Sequence, residues 1–98
     1  MEKIQLHVDA SLRELVPNFI AARRKDLEAL RRAVHAGDLA TIRNVGHNIR
    51  AFSRLYGFDE LTALGEKIER AADEASTLRI VHLQGQLADY LERIEVGD

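Results

Sequence analysis

Asp38-Leu-Ala-Thr-Ile-Arg-Asn-Val-Gly-His47-Asn-Ile-Arg-Ala-Phe-Ser-Arg-Leu-Tyr-Gly57 is the stretch on which the reading of the fold turns. Asp38 suits a helix N-cap, and Gly57 suits the left-handed position that follows a helix end. At about 100° per residue, Ile42, Val45, Ile49, Phe52 and Tyr56 fall in one sector roughly 80° wide. That sector is the expected buried stripe. On the same wheel His47 points about 170° away from its centre, into water. A histidine satisfied inside a core is therefore the reading the spacing disfavours.

The outward neighbours of His47 are Arg43 one turn before it, Arg50 and Ala51 one turn after, and Arg54 two turns after. Three guanidinium groups beside one imidazole repel each other and oppose its protonation. The arrangement makes sense if an anion visits. Guanidinium forks match phosphate oxygens, and a neutral imidazole is a competent nucleophile toward a phosphoryl group. Ala51 is small enough to let another surface approach the ring.

The same periodicity runs along the rest of the chain, broken at three places. Ser11 with Glu14 reads as a capping box for a first helical segment to about Ala36. Pro17 implies either a short leading helix or a kinked one. Gly37 closes that segment. A third helix begins near Asp59, with Leu61, Leu64, Ile68, Ala71 and Ala72 on one face. Ser76 or Thr77 caps a fourth, whose expected seam is Leu78, Val81, Leu87, Tyr90, Leu91 and Ile94. Gly85 inside it costs about 1 kcal/mol relative to Ala and would be explained by close packing at that point. Short connections make neighbouring helices antiparallel. The expected fold is all-α, an antiparallel up-down four-helix bundle with a possible short extra N-terminal helix. It is one domain over residues 1–98, with its core at about 11–95.

Composition agrees. The chain has 98 residues, 46% of them hydrophobic, with one Pro, six Gly, no Trp and no Cys. The missing cysteines exclude a disulfide framework and thiolate chemistry. A net charge of −2 supplies no field for nucleic acid or an anionic membrane. No apolar run suits a membrane span or a signal peptide, so the expectation is a cytoplasmic protein. With no obvious apolar seam for a partner helix, it is expected to be a monomer.

Gly46-His47-Asn-Ile49-Arg50-Ala51-Phe52-Ser-Arg-Leu-Tyr56-Gly57-Phe58 resembles the signature of histidine phosphotransfer (HPt) domains. In that signature the histidine is followed by any residue, an aliphatic, Lys or Arg, Gly and small residues, with a further Gly at the distance of Gly57. Leu61, Leu64, Ile68, Glu69 and Ala72, the early Pro17-Asn-Phe19, and Leu-Ala-Asp-Tyr90-Leu-Glu-Arg near the end also resemble the family. The resemblance implies a phosphoryl carrier without autonomous kinase activity. His47 would accept phosphate, usually on Nε2, and Arg50 would position it. Arg43, Ala51 and Arg54 would meet the partner. The implied partners are a response-regulator receiver domain and a hybrid histidine kinase. No cofactor belongs to the domain itself, magnesium being expected on the receiver. Two positions depart from the pattern. Ala51 stands where the family has Gly, and Phe52 where it has a small residue. Phe52 is expected in the core, with little effect on docking, whereas the Ala51 methyl could slow transfer or leave a domain that binds receivers without exchanging phosphate.

Other readings are weaker. His35 beside a helix end reads as a dipole partner. No two of His7, His35, His47 and His82 have the spacing of a helical metal site. Asp59-Glu60 and Asp73-Glu74 read as surface charges at helix ends, and Ser53 as helix filler. A dimeric kinase core would place an acidic residue directly after the histidine, where Asn48 stands.

Overall fold

The structure, a computed structural model, describes residues 3–97, so the outermost residues of the expected domain lie outside the described residues. Four helices form the body: α1 (Val16–Ala36), α2 (Leu39–Tyr56), α3 (Asp59–Asp73) and α4 (Thr77–Arg93). α2 packs on α1 and α3, and α4 on α3 and α1, so the ring of helices closes around one core. The all-α four-helix bundle expected from the sequence is the fold. Leu30, Ile42, Ile49, Leu61, Ile68, Ile80, Leu87 and Leu91 are almost wholly buried within it.

The helix ends follow from their residues. Asp38 accepts hydrogen bonds from Thr41 N (3.1 Å) and Thr41 Oγ1 (2.6 Å), which satisfies an orphan amide at the start of α2. Those two bonds hold the Asp38 carboxyl below its ordinary pKa. Gly37 and Gly57 take left-handed φ values of 68° and 75° and close α1 and α2. After α3 that position falls to Ala75 at φ 53°. An L-residue in this region is disfavoured by about 1–2 kcal/mol. Ala75→Gly is therefore expected to stabilise the domain by about 0.5–1 kcal/mol, read as a higher urea midpoint at unchanged slope.

Several expectations are corrected. The cap before Pro17 is Asp9 rather than Ser11. Asp9 accepts from both Ser11 N and Ser11 Oγ at 3.0 Å, opening a 3-10 helix at Ala10–Leu15. α1 then starts at Val16 with Pro17 in its first turn. Proline has no amide to give a preceding turn and its ring crowds that turn, so the helix begins beside it instead of running through. In α4 the buried row is Ile80, Leu83, Leu87, Tyr90 and Leu91, whereas Leu78 and Val81 are 84% and 50% exposed. The expected seam stepped from Val81 to Leu87, six residues, which is far from a whole number of turns. Gly85 meets nothing within 4 Å of where a Cβ would stand, so it serves no close packing. Beyond Arg93 the chain is extended, and β2 (Ile94–Gly97) pairs in parallel with β1 (Ile4–His7), Ile4 opposite Ile94. Helical periodicity carried Ile94 into the expected seam; it remains packed on the core from the strand.

Tyr90 is 3% exposed, and its hydroxyl finds no hydrogen-bond partner among the described residues. Burial, helped by the negative charge of Glu60, pushes the phenol up to about 12. An unfolded tyrosine ionises near 10. The stability this group contributes is thus fully present below about pH 10 and is lost as pH rises toward 12. Urea melts at pH 9 and pH 11 are expected to show that loss, and Tyr90→Phe to reduce it.

Candidate functional site

The site lies where α2 and α3 cross. Gly46 and Gly65 face each other there. A Cβ on Gly65 would stand 2.5 Å from Arg50 N and 2.7 Å from the Gly46 carbonyl oxygen. A Cβ on Gly46 would stand 2.7 Å from Glu69 N and 2.9 Å from the Gly65 carbonyl oxygen. The two backbones touch without side chains between them. In consequence the buried face of α2 is Ile42, Val45, Gly46, Ile49 and Ser53, turned by about 40° toward α3 from the stripe the apolar residues suggested.

That rotation corrects two expectations. Ser53, read as helix filler, is fully buried, and Phe52 is 47% exposed rather than in the core. The Arg23 guanidinium lies 5.0 Å from the Phe52 ring and 4.9 Å from the Phe19 ring, while Arg23 Nε donates to Asp26 Oδ2 at 2.7 Å. This buried cation, held between two rings and a carboxylate, ties α1 to the outer edge of α2. Burial raises the Asp26 pKa against the opposing pull of Arg23. Phe52 therefore leaves part of its ring exposed on the α1 side of α2.

His47 points outward, its side chain 51% exposed. Nδ1 lies 3.2 Å from Glu69 Oε2 and 2.9 Å from Arg50 Nη2. A neutral imidazole cannot serve both. With a proton on Nδ1 the ring donates to Glu69, and Nε2 keeps its lone pair. With Nδ1 bare, the ring accepts from Arg50, and Nε2 carries the proton. Nε2 itself has no partner among the described residues.

Glu69, only 15% exposed, is the hub. Its Oε1 accepts from Arg50 Nε at 3.1 Å, and Arg43 Nη2 is 3.9 Å from Oε2. Arg43 Nε donates to Asp73 Oδ1 at 2.7 Å, a bond that raises the pKa of Arg43 further. The mutual repulsion expected among the three arginines is thus relieved inside the protein for two of them. Arg54 alone of the three has no ion-pair partner among the described residues. Arg50, Arg54, Glu69 and Asp73, with Glu66 and Arg70, line a groove along the crossing. Ala51 is exposed on the same side of α2.

In the sequence Glu69 stands out only through the family resemblance, and Asp73 only as a helix-end charge. The missed signal is spacing. Acids four apart on α3 oppose Arg43 and Arg50 on the antiparallel α2. His35 and His82 stand elsewhere, His35 in the last turn of α1 and His82 exposed on α4. No group of three or more His, Asp or Glu suited to hold a metal occurs among the described residues.

The Hpt domain model matches residues 14–97, and the chain belongs to the Hpt domain family. No match was found among curated proteins or among solved structures. Domains of this family are phosphoryl carriers rather than kinases, and they act in phosphorelays with receiver and kinase partners. No helix of the described residues is long and apolar enough to cross a membrane.

Proposed function

We propose that His47 accepts a phosphoryl group on Nε2 and exchanges it with the aspartate of a response-regulator receiver. The observation that carries this reading is the asymmetry of the ring. Nδ1 is engaged by Glu69 and Arg50, whereas Nε2, on a half-exposed side chain, has no partner among the described residues, and both Nδ1 partners line a groove that holds guanidinium groups.

In the forward step the Nε2 lone pair attacks the phosphorus of the receiver's aspartyl phosphate. The N–P bond forms as the P–O bond to the aspartate breaks, and the carboxylate leaves with the bonding pair. The proton stays on Nδ1, where Glu69 stabilises the positive charge that develops on the ring. A carboxylate is a stronger acceptor for Nδ1–H than a neutral ring nitrogen is for a guanidinium already paired to that carboxylate. An arriving phosphoryl group gives Arg50 Nη2 a better partner than the ring, so Arg50 positions the phosphoryl oxygens and leaves Nδ1 to Glu69. Arg43 and Arg54 meet the partner, with Ala51 allowing its approach. A hybrid kinase supplies phosphate through its own receiver. The carrier needs no cofactor, and magnesium is held by the receiver.

The test is label transfer from a phosphorylated receiver to the native chain and to His47→Gln. Acid-labile, alkali-stable label on the native chain alone supports the carrier. The exposed Phe52, where the family has a small residue, favours one second reading, a domain that binds receivers without exchanging phosphate. Binding with no label on either chain would establish that reading instead.

A further inference from the structure

The two glycines at the crossing of α2 and α3 touch the site's own residues. The Cβ missing from Gly65 would collide with the backbone of Arg50, and the one missing from Gly46 with the backbone of Glu69. Gly46 directly precedes His47, and Gly65 lies one turn before Glu69 on α3. These contacts are with main-chain atoms, which cannot rotate aside as a side chain would.

We propose that the Gly46–Gly65 crossing sets the reach between Glu69 and His47, which makes Gly65 a positioning residue for the histidine. This rests on the reading of His47 as phosphoacceptor. A methyl group at position 65 needs ordinary carbon contact distances of about 3.5 Å, where the structure leaves 2.5 and 2.7 Å. The helices must then part by most of an ångström. The Nδ1–Oε2 distance, 3.2 Å, already lies at the long end of a hydrogen bond. Glu69 has little slack with which to follow, because Oε1 is bonded to Arg50 and the side chain is only 15% exposed. Parting the helices therefore leaves Nδ1 to Arg50 and moves the proton to Nε2, where it blocks the attacking lone pair. Glycine inside a helix costs about 1 kcal/mol relative to alanine. The crossing carries that cost twice, on the two helices that form the site.

The experiment reads the tautomer of His47 from its ring nitrogen shifts in the unphosphorylated protein, with the imidazole neutral, alongside the rate of label transfer. In the native chain the proton is expected on Nδ1. Gly65→Ala should move it to Nε2, as Glu69→Ala does, and slow transfer by a similar factor, on the order of a hundredfold for an ångström of misplacement. The double variant Gly65→Ala/Glu69→Ala should transfer no more slowly than Glu69→Ala, since both changes remove one interaction. Leu83→Ala, in the core part of α4 and away from the crossing, loses stability too and should keep both the tautomer and the rate. If Gly65→Ala does not fold, Glu69→Asp decides. It keeps the charge and the packing but shortens the arm by about 1.5 Å, and should behave like Glu69→Ala. A native tautomer in Gly65→Ala or Glu69→Asp, or a rate loss no greater than that of Leu83→Ala, overturns the proposal. Absence of label on the native chain would count against the carrier reading alone, because the ring shifts report on the crossing without any transfer.

Discussion

His47→Gln is expected to carry no acid-labile phosphate after incubation with a phosphorylated receiver, a loss of at least about a thousandfold, or roughly 4 kcal/mol of barrier. No other described group can take over. His35 and His82 stand away from the groove, Ser53 is fully buried, and the Thr41 hydroxyl is bonded to Asp38. The fold should be nearly unaffected. The imidazole is half exposed and makes only polar contacts with two residues that also bond each other, so the change in stability should stay within about 0.5–1 kcal/mol. Receiver binding should persist, because glutamine leaves the arginines and Ala51 in place. Circular dichroism melts and a binding isotherm on the same sample separate this outcome from unfolding. Label that survives on the variant would move the acceptor to another residue.

Phe58→Ala is expected to cost about 3–5 kcal/mol, the range for a large aromatic removed from a core. Phe58 is 2% exposed and occupies the residue just before α3. Its ring meets Phe19 edge-on with centroids 5.1 Å apart and lies 6.0 Å from Tyr56, while Phe19 and Tyr56 are 4.4 Å apart. The cluster joins α1, the end of α2 and the start of α3, so no single neighbour can relax into the space. A domain of this size loses about 4–8 °C of Tm per kcal/mol. A melting point lowered by at least about 12 °C, or a chain unfolded at room temperature, is the expected result. A drop of only a few degrees would mean that the cluster contributes far less than its burial implies.

Helix boundaries were legible wherever a residue had one local role. Asp38, Gly37, Gly57 and Ser76 announce their caps because cap chemistry depends on neighbours within one turn. The face of α2 was legible only in part. Apolar periodicity counts Phe52 and overlooks Gly46 and Ser53, yet both small residues are buried, Gly46 because it admits the backbone of α3. In α4 two apolar rows compete at the start, and only the row in phase with Leu87, Tyr90 and Leu91 points inward. The histidine and its arginines were legible because they share one helix. Glu69 and Asp73 were not, since their meaning arises from pairing across a crossing that no single-helix period encodes. The strand pair of the chain ends escaped for the same reason.

Every residue of the proposed site, from Arg43 to Asp73, comes from one helical hairpin joined by Gly57 and Phe58, whereas β1 and β2 meet only after nearly the whole chain has been traversed. Loop closure opposes distant pairings more than near ones, and contacts of short sequence separation form soonest. Folding should accordingly begin at this hairpin, with α1 and α4 condensing onto it and the terminal strands zipping last. The surface of the proposed site would then take shape early, on a nucleus the rest of the bundle is built around.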